Sequence, residues 1–554
     1  MSGPIKQKET RFIVVTGGVV SGLGKGIAAA SIGKLYASAD LKVVPMKLDG
    51  YLNVDPGTMN PYEHGEVFVL DDGGEVDMDF GHYERFLDVR SKIKWNLTMG
   101  KVFERVRHKE RKGDYLGKTV QFVPHVTDAI KGMIFDVVRE EEPDLMIIEV
   151  GGTVGDMENE LYIESMRQLK KDAGPGRVAY VHLTYVPVLH STKEEKSKPT
   201  QQSVNLLRQR GIQPDIIIGR CEQMLTDPVK DRISTFCDIP KEAVITGLDV
   251  DNVYRIPRVY AEEGILAQLN RKLGIDAHPE MDAWNMLVDR MKDSPRDIHI
   301  AICGKYTRLE DSYASVIEAL RHASAHHEVH PIIHWIETTL IEEGKWSVED
   351  ALRGIDGVIV PGGFGSRGAE GKIQIIEHVR KNGIPFLGLC YGFQLAAIEY
   401  ARNACGMENA NTTEINPLTP FPVIDLLPDQ KDKSQMGGTL RLGGHDVLIL
   451  PNTRAAEMWG TMARLRFRHR YEVNPSFIER LEGKGLVFSG RAPNQPIMQI
   501  MEIPTHPFFM ATQAHPELTS KLDVPSPFFD GFIHACKGLK GNTTKVSVAR
   551  PAGG

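Results

Sequence analysis

The chain has 554 residues, which is too long for a single hydrophobic core and predicts two or three domains at about 150 residues each. Hydrophobic residues make up 41% and charged residues 25% of the composition, which excludes wholesale disorder. The formal net charge of −7 argues against a general nucleic-acid coat but leaves a local basic pocket open.

Neither membrane insertion nor export is expected. No apolar run approaches the ~20 residues that span a bilayer, and the polar stretch 1–11 lacks a signal-peptide core. The 6 cysteines are scattered with no C-x-x-C pair, which disfavours a structural zinc site or a disulfide framework. A reducing, cytoplasmic location fits this cysteine pattern best.

The first half alternates short apolar strands with helix-like segments. An apolar strand at 12–15 precedes a glycine-rich turn and a helix from about residue 27 to residue 37. Further buried strands are predicted at 42–46, 145–150, 178–183 and 216–218. Continuous apolar runs between amphipathic helices are typical of a parallel sheet covered on both faces.

The alternation restarts at 298–302 and continues to a last strand near 508–512 and a helix at about 528–539. We therefore predict an α/β protein with two doubly wound parallel-sheet domains. The predicted organisation is a first domain at 1–273, a linker with one short helix at 274–297, a second domain at 298–540 and a disordered tail at 541–554.

A glycine-rich loop, TGGVVSGLGKG at 16–26, follows the first strand and places Lys25 at the start of a helix. Strand, loop and lysine together favour binding of a polyphosphate by backbone N–H groups, over a purely structural glycine turn. The loop departs from a standard P-loop, because Val19 stands where glycine is expected and Gly26 where Ser or Thr is expected. Without that hydroxyl, magnesium must be held by carboxylates from elsewhere.

Two carboxylates are candidates for that role. Glu149 ends the buried strand LMIIEV, and the carboxyl ends of strands are where open α/β sheets bind ligands. Asp79 is a weaker candidate, because most acidic residues are simply solvated. Magnesium prefers a few carboxylates together with phosphate oxygens and water, so this pair could suffice.

A candidate nucleophile lies in the second half. The pattern Gly388-x-Cys390-x-Gly392 has the form of a nucleophile elbow between a strand and a helix, with cysteine in place of serine. Its flanking glycines leave room for a strained backbone that exposes the side chain. This context favours catalysis over a buried structural cysteine.

The base is predicted far along the chain from the nucleophile. His515 follows the last apolar strand, and Glu517 shares a face with it in extended backbone, so that the carboxylate can orient the imidazole. The glycine-rich segment 360–368 follows another strand and offers backbone N–H groups for an oxyanion hole. Together these pieces predict acyl transfer through a thioester.

The motifs coincide with those of a known family. The second domain resembles the triad-type glutamine amidotransferases, and the chain from residue 12 to about 540 resembles the CTP synthase family. The stretches that carry the resemblance are GGVVSGLGKGIAAAS, NVDPGTMNPYEHGEVFV, GHYERF, RKGDYLG, EVGGTVGDME, KSKPTQ, PGGFGSRG, GLCYGFQ, MENANTTE, RHRYEVN and HPELTS.

The resemblance implies a P-loop-like, dethiobiotin synthetase-like first domain and a class I glutamine amidotransferase second domain. It implies ATP-dependent amination of UTP at C4, with ammonia drawn from glutamine by the triad Cys390, His515 and Glu517. It also implies Mg²⁺ as cofactor, GTP as allosteric activator, CTP as feedback inhibitor and a homotetramer.

Site residues are implied in the same way, by position in the matching motifs. The implied ATP-binding residues are Gly22, Leu23, Gly24, Lys25, Gly26, Ile27, Asp79, Leu248, Asp249 and Val250. The implied UTP- and CTP-binding residues are Ser21, Asp156, Met157, Glu158, Lys196, Ser197, Lys198, Pro199, Thr200, Gln201 and Arg232. The implied glutamine-binding residues are Gly363, Tyr391, Gly392, Phe393, Gln394, Glu414 and Arg470. Asp79 and Glu149 would hold magnesium, and His64 would line an ammonia passage.

Departures from the family pattern at five positions remove no chemical role. Gly22 replaces an expected serine, Gly50 an expected proline and Arg232 an expected lysine, while Tyr391 and Phe393 stand where leucine and methionine are common.

Two other functions stay open: a ligase that amidates a carboxylate through an acyl phosphate, and a non-enzymatic nucleotide switch whose second domain senses a ligand.

Overall fold

The computed structural model describes residues 9–57, 65–189, 191, 194–304, 310–426 and 441–538. They form two compact units. The first unit comprises Met1–Pro56 and Met78–Met286, and the second comprises Gly57–Asp77 and Leu287–Gly554. The sequence predicts an uninterrupted first domain at 1–273, whereas the structure groups Gly57–Asp77 with the second unit.

The strands that precede residue 286 are short and mostly buried. In chain order they are β1 (Arg11–Gly17), β2 (Val43–Asp49), β3 (Phe68–Val69), β4 (Glu75–Val76), β5 (Asn96–Thr98), β6 (Leu145–Val150), β7 (Val178–Tyr185), β8 (Val188–Leu189), β9 (Glu194–Glu195), β10 (Ile216–Cys221) and β11 (Val244–Leu248).

The first unit is built on a seven-stranded sheet in the order β11-β10-β7-β1-β6-β2-β5. Every pairing in this sheet is parallel, as the continuous apolar runs predict. The central strand β1 pairs with β6 on one side and β7 on the other, and Val15 lies opposite Glu149. The loop after β1 therefore begins beside the end of β6.

Helices connect these strands and cover the sheet. Those of the first unit are Lys25–Ala37, Asp79–Leu87, Met99–Lys112, Thr127–Glu141, Glu160–Ala173, Lys198–Gln209, Asp227–Cys237, Ile256–Glu262 and Ile265–Leu273. The predicted linker contains the helix Asp282–Asp293, within which the chain passes from one unit to the other.

The remaining strands belong to the second unit. They are β12 (Asp297–Gly304), β13 (His330–Glu337), β14 (Gly357–Val360), β15 (Phe386–Leu389), β16 (Ala410–Thr412), β17 (Phe421–Leu426), β18 (Arg441–Ile449), β19 (Met462–His469), β20 (Tyr471–Val473), β21 (Val487–Arg491), β22 (Met498–Glu502) and β23 (Phe509–Thr512). The helices are Ala314–His327, Thr338–Glu342, Val348–Ala351, Ala369–Asn382, Tyr391–Asn403, Arg454–Trp459, Ile478–Glu482 and Pro527–Gly538.

A nine-stranded sheet in the order β13-β12-β14-β15-β23-β22-β21-β18-β19 organises the second unit. Its first five strands are parallel, which confirms the predicted α/β class. From β22 onward the pairing is antiparallel, and the sequence does not predict this extension of the sheet. The order places β14, β15 and β23 side by side, although β23 follows β15 only after some 120 residues of chain.

No helix among the described residues is long and apolar enough to cross a membrane. All 6 cysteines are free and buried, which agrees with the absence of a disulfide framework expected from their spacing.

A buried ion pair joins the helix that follows the nucleophile to its neighbour. Arg380 donates from Nε and Nη2 to both carboxylate oxygens of Glu399, at 2.7–3.1 Å. Glu399 is fully buried, and the Arg380 side chain keeps only 16% of its exposure. The pair therefore fixes the helix Tyr391–Asn403 against Ala369–Asn382.

We predict that Glu399→Gln lowers the free energy of unfolding by about 2–3 kcal/mol, because it leaves the Arg380 guanidinium largely buried without a counter-charge. Glu377→Gln is the matched control, since the Glu377–Lys381 pair is exposed and contributes about 0.5 kcal/mol or less. Thermal unfolding of the full chain measures both. Equal melting temperatures for the two variants would contradict the assignment.

Candidate active sites

Cys390 occupies a strained turn between β15 and the helix Tyr391–Asn403. Its backbone has φ 49° and ψ −97°, a conformation that non-glycine residues rarely adopt. The turn is held because Cys390 N–H donates to the Thr512 carbonyl at 2.7 Å. A Cβ at Gly392 would overlap the Val360 carbonyl oxygen, and one at Gly388 would lie 2.9 Å from the Ala511 Cβ. Glycines are therefore required on both sides of the elbow, as the motif predicts.

The predicted base reaches the nucleophile because β23 lies beside β15. His515 follows β23, and its Nδ1 lies 2.7 Å from Glu517 Oε1. The Cys390 thiol is the other hydrogen-bonding partner of the imidazole. Burial alone would lower the pKa of His515, but the Glu517 carboxylate and Cys390 raise that pKa well above its usual value. The Glu517 carboxylate therefore favours the protonated form of the imidazole.

Two buried amides and one carbonyl complete the surroundings of the sulfur. Gln513 Nε2 donates to Cys390 Sγ at 3.5 Å, and Gln394 Nε2 donates to Gln513 Oε1 at 3.2 Å. The Cys390 thiol donates a long hydrogen bond to the Arg468 carbonyl oxygen, 3.8 Å away. Gln513 is a contact that the sequence reasoning missed, since nothing in the pattern marks it apart from its place two residues before His515.

The loop after β14 lies directly against the triad. A Cβ at Gly362 would approach His515 Cε1 to 3.1 Å and Cys390 Cβ to 3.7 Å, so a side chain there would crowd both. Gly363 lies beside the Tyr391 ring. The backbone of this loop can therefore approach a carbonyl group bound at Cys390, as an oxyanion hole requires.

The implied glutamine-binding residues divide into two sets. Glu414 Oε1 accepts a hydrogen bond from Gly365 N–H at 3.0 Å, and Tyr391 donates to the Gly365 carbonyl at 2.6 Å. The Arg470 guanidinium lies close enough to Tyr471 to affect its pKa. These groups surround the mouth of the loop. The Phe393 side chain is instead fully buried in the core, so it is not available to a ligand.

The glycine-rich loop of the first unit is shaped by close contacts. A Cβ at Gly18 would overlap Ser203 Oγ, and one at Gly24, where φ is +83°, would lie 2.8 Å from the Arg220 guanidinium. Val19, at the position that is glycine in a standard P-loop, adopts φ +78°, a left-handed backbone that a β-branched residue rarely takes.

The contacts of Gly26 explain why this loop lacks the Ser or Thr hydroxyl of a standard P-loop. A Cβ at Gly26 would overlap the Asp79 carboxylate, so this carboxylate fills the space that a Ser or Thr side chain takes in a standard P-loop. Asp79 begins the helix Asp79–Leu87 and forms an ion pair with Lys47. Lys47 is a further residue of this site, and its position opposite Glu149 in the sheet brings it here.

Four charged side chains meet behind this loop: Lys47 and Glu149 are buried, and Lys25 and Asp79 are partly buried. Lys25 donates to the Gly152 carbonyl at 2.8 Å, and burial lowers its pKa despite the opposing effect of Glu149. Burial raises the pKa of Glu149, and the charge of Asp79 adds to this rise. Lys47 holds the pKa of Asp79 below its usual value against the effect of burial. Tyr83 donates a hydrogen bond to Glu149.

The donor set is compatible with magnesium. Among the described residues no three His, Cys, Asp or Glu side chains group closely enough to hold a metal ion. Asp79 and Glu149 are two carboxylates whose charges interact, and a divalent cation would stabilise both in ionised form. Phosphate and water oxygens would then complete the coordination, which is the arrangement that magnesium prefers.

A mostly apolar cleft opens beside the loop. Leu23, Gly24 and Ile27 line it together with Leu248 and Val250 from the segment after β11. The structure thus brings together two sets of implied ATP-binding residues that are more than 200 residues apart in the chain.

The polar edge of this cleft comes from two charged side chains. Arg220 donates to Asp249 and, at 3.1 Å, to the Leu23 carbonyl. Arg220 is the penultimate residue of the strand β10 and is a cleft residue that the sequence reasoning did not single out.

The implied pyrimidine-binding residues lie at helix ends and on exposed segments. Ser197 and Gln201, hydrogen-bonded to each other at 3.1 Å, are buried at the start of the helix Lys198–Gln209. Arg232 is exposed on the helix Asp227–Cys237. Asp156 caps the amide of Thr153, and its neighbour Met157 is 86% exposed.

The remaining implied pyrimidine- and nucleotide-binding residues differ in their exposure. Ser21 and Gly22 are exposed in the loop, Thr200 is buried, and Lys196, Lys198, Pro199 and Glu158 are partly or fully exposed. His64, the implied residue of the ammonia passage, lies outside the described residues.

Comparisons with known proteins agree with this geometry. The sequence model described as CTP synthase N-terminus matches residues 11–275, and that described as glutamine amidotransferase class-I matches residues 308–535. The CTP synthase of Thermococcus kodakarensis is 50% identical over 534 residues, which cover 96% of this chain and 99% of that protein. The CTP synthase of Carboxydothermus hydrogenoformans is 50% identical over 95% of this chain and 98% of its own length.

A solved glutaminase domain of the Trypanosoma brucei CTPS, with bound acivicin, is 32% identical with a TM-score of 0.40 and covers 43% of this chain and 94% of that chain. The two full-length relatives and the two adjoining sequence models cover both units of the chain. The chain therefore belongs to the CTP synthase family, in which a synthetase domain is fused to a class-I glutamine amidotransferase domain.

Proposed function

We propose that the chain is a glutamine-hydrolysing CTP synthase, a ligase that aminates UTP at C4 at the expense of ATP. The observation that carries the proposal is that one chain holds an assembled Cys390–His515–Glu517 triad and, in its other unit, a phosphate loop with Lys25 and a buried carboxylate pair. A protein that only hydrolyses glutamine needs no phosphate loop, and a protein that only binds nucleotides needs no triad.

Glutamine hydrolysis follows from the triad. The Cys390 thiol gives its proton to His515, and the resulting thiolate attacks the side-chain amide carbon of glutamine, where backbone N–H groups of Gly363 and Tyr391 would stabilise the oxyanion. His515, held as an imidazolium by Glu517, then gives its proton to the departing nitrogen. The result is a thioester on Cys390 and a molecule of ammonia, and water releases glutamate from the thioester. Glu414 and Arg470 would bind the charged ends of the amino acid.

Activation of UTP follows from the first unit. The 4-oxygen of UTP is a poor leaving group, and transfer of the ATP γ-phosphoryl group to it allows it to leave as phosphate. Lys25 and the N–H groups of the loop would hold the phosphates, while the apolar walls at Leu248 and Val250 would hold adenine. Ammonia then attacks C4 of the 4-phosphorylated UTP.

Asp79 and Glu149 would hold Mg²⁺, which neutralises phosphate charge when bound. The protein's own contribution is to place these two carboxylates beside Lys25 and Lys47. Lys47 is paired with Asp79 within the described residues, so it balances this carboxylate until a cation arrives.

The pyrimidine site and the regulation rest on the family resemblance. Lys196–Gln201 and Arg232 would contact UTP, with Asp156, Met157 and Glu158 near a site that CTP would share as a feedback inhibitor. GTP would activate, and the active form would be a homotetramer. The strong exposure of Met157 is consistent with a residue that is covered only by a ligand or by another copy of the chain.

One chain has a chemical reason to contain both reactions. Ammonia is mostly protonated in neutral water, and the ammonium ion cannot attack C4. Nitrogen released at Cys390 must therefore reach the activated pyrimidine without mixing with the solvent, a passage in which His64 would take part.

The first test separates the two reactions. We predict that Cys390→Ala abolishes CTP formation from UTP when ATP, magnesium and glutamine are supplied. With ammonia in place of glutamine, the variant should form CTP near the wild-type rate. Absorbance measures CTP formation in both assays. Cys405→Ala, which removes another buried thiol of the same unit, should leave both activities intact. Failure of the wild-type chain to convert UTP, or conversion of a dicarboxylate instead, would refute the function.

The second test concerns protonation of the base. We predict that Glu517→Gln lowers the pKa of His515, because the carboxylate that raises it is lost. The form that protonates the leaving nitrogen is then lost at a lower pH. The basic limb of the kcat profile for glutamine hydrolysis should move toward lower pH, and kcat should fall at least about tenfold. An unmoved basic limb would show that Glu517 does not set this protonation.

The third test concerns the carboxylate that replaces the P-loop hydroxyl. We predict that Gly26→Ser displaces Asp79 and reduces CTP formation at least about tenfold with either nitrogen source, while glutamine hydrolysis persists. Gly132→Ser is the matched control, since a Cβ at this helical glycine meets nothing within 4 Å. Full synthetase activity in Gly26→Ser would mean that Asp79 is not needed at this position.

A further inference from the structure

A short hairpin from the first half of the sequence is part of the second unit. It consists of β3 (Phe68–Val69) and β4 (Glu75–Val76), and it lies on the strands β18 and β19. Gly444 N–H donates to the Asp71 carbonyl at 2.8 Å. A Cβ at Gly443, where φ is +85°, would lie 2.7 Å from Gly73 Cα. Glycine at this position lets the two backbones touch.

Three arginines of β19 bind this hairpin. Residues two apart in a strand share a face, so Arg464, Arg466 and Arg468 project together. They contact Asp71 at 2.9 Å, the Val69 carbonyl at 3.1 Å and Glu75 at 2.8 Å, respectively. Of the two acidic partners, Glu75 is the more buried, because its side chain is only 7% exposed.

The backbone of the same strand contacts the triad. β19 ends the nine-stranded sheet and pairs only with β18 among the described strands. The Arg466 carbonyl accepts the His515 N–H at 2.8 Å, and the Arg468 carbonyl lies 3.8 Å from the Cys390 thiol. β19 thus binds the hairpin with its side chains and positions nucleophile and base with its carbonyls.

We propose that Glu75 and Arg468 form a positioning pair for the glutaminase reaction, so that a residue from the first half of the chain sets the geometry of the triad. This inference rests on the proposed function. Removing either partner leaves the other charge partly buried and unpaired, and the end of β19 shifts to expose it to water. A shift of about 1 Å at Arg468 would misplace both groups, and such an error lowers rates about a hundredfold.

The covalent chain gives the pair a further consequence. Glu75 precedes Asp79, the carboxylate that lies against the phosphate loop, by four positions. The segment that carries the positioning residue therefore continues directly into the nucleotide-binding unit.

The test compares Glu75→Gln, Arg468→Gln and Arg468→Lys with Arg353→Gln, which removes an exposed pair of the same unit. For both glutamine variants we expect kcat for glutamine hydrolysis to fall about ten- to a hundredfold, with KM for glutamine nearly unchanged. Arg468→Lys keeps the charge and should restore most of kcat. Ammonia-dependent CTP formation should stay at the wild-type rate in all of them.

Wild-type hydrolysis in Glu75→Gln and Arg468→Gln would overturn the proposal. Loss of both nitrogen sources, or a loss that Arg468→Lys does not repair, would overturn it as well, because the pair would then serve general stability. Failure of the wild-type chain to form CTP from either source would instead refute the proposed function, and the glutamine hydrolysis rates would still test the pair.

Discussion

Hydrogen bonds between adjacent parallel strands decide where both reactive centres form. In the second unit β14, β15 and β23 are neighbours, so the loops at their carboxyl ends meet. Those loops contain Gly362, Cys390 and His515. In the first unit β1 and β6 are neighbours in the same way, and the phosphate loop meets Glu149. A parallel sheet collects loop residues at one edge however far apart they are in sequence.

Close packing then restricts the residue type at each edge. The elbow needs Gly388 and Gly392, because Ala511 and the Val360 carbonyl leave no room for side chains. The phosphate loop needs Gly26, because the Asp79 carboxylate fills the corresponding space. In one unit the glycines make room for the strained turn at Cys390. In the other unit, Gly26 leaves room for the Asp79 carboxylate, so a carboxylate can bind a cation where a standard P-loop uses a hydroxyl.

Buried charges at the two centres are balanced differently. Glu517 and Cys390 raise the pKa of His515, a pairing within one unit that favours the protonated imidazole. Asp79 and Glu149 share two lysines, and burial still raises the pKa of Glu149. Burial thus disfavours the ionised form of Glu149, which a divalent cation would stabilise. The antiparallel extension adds β19, whose edge connects the hairpin β3–β4 to the triad.

The sequence by itself determined the two α/β units and the glycine-flanked elbow, and it predicted the phosphate loop and the residues of the triad. These features depend on local patterns: apolar runs, glycines that flank one reactive residue, and a lysine that opens a helix. Only the tertiary structure decided that Lys47 pairs with Asp79, that Gln513 donates to Cys390 and that Gly57–Asp77 joins the second unit. Those contacts arise from strand order and from packing between distant segments, and residues far apart in the chain leave no periodic signal of their meeting.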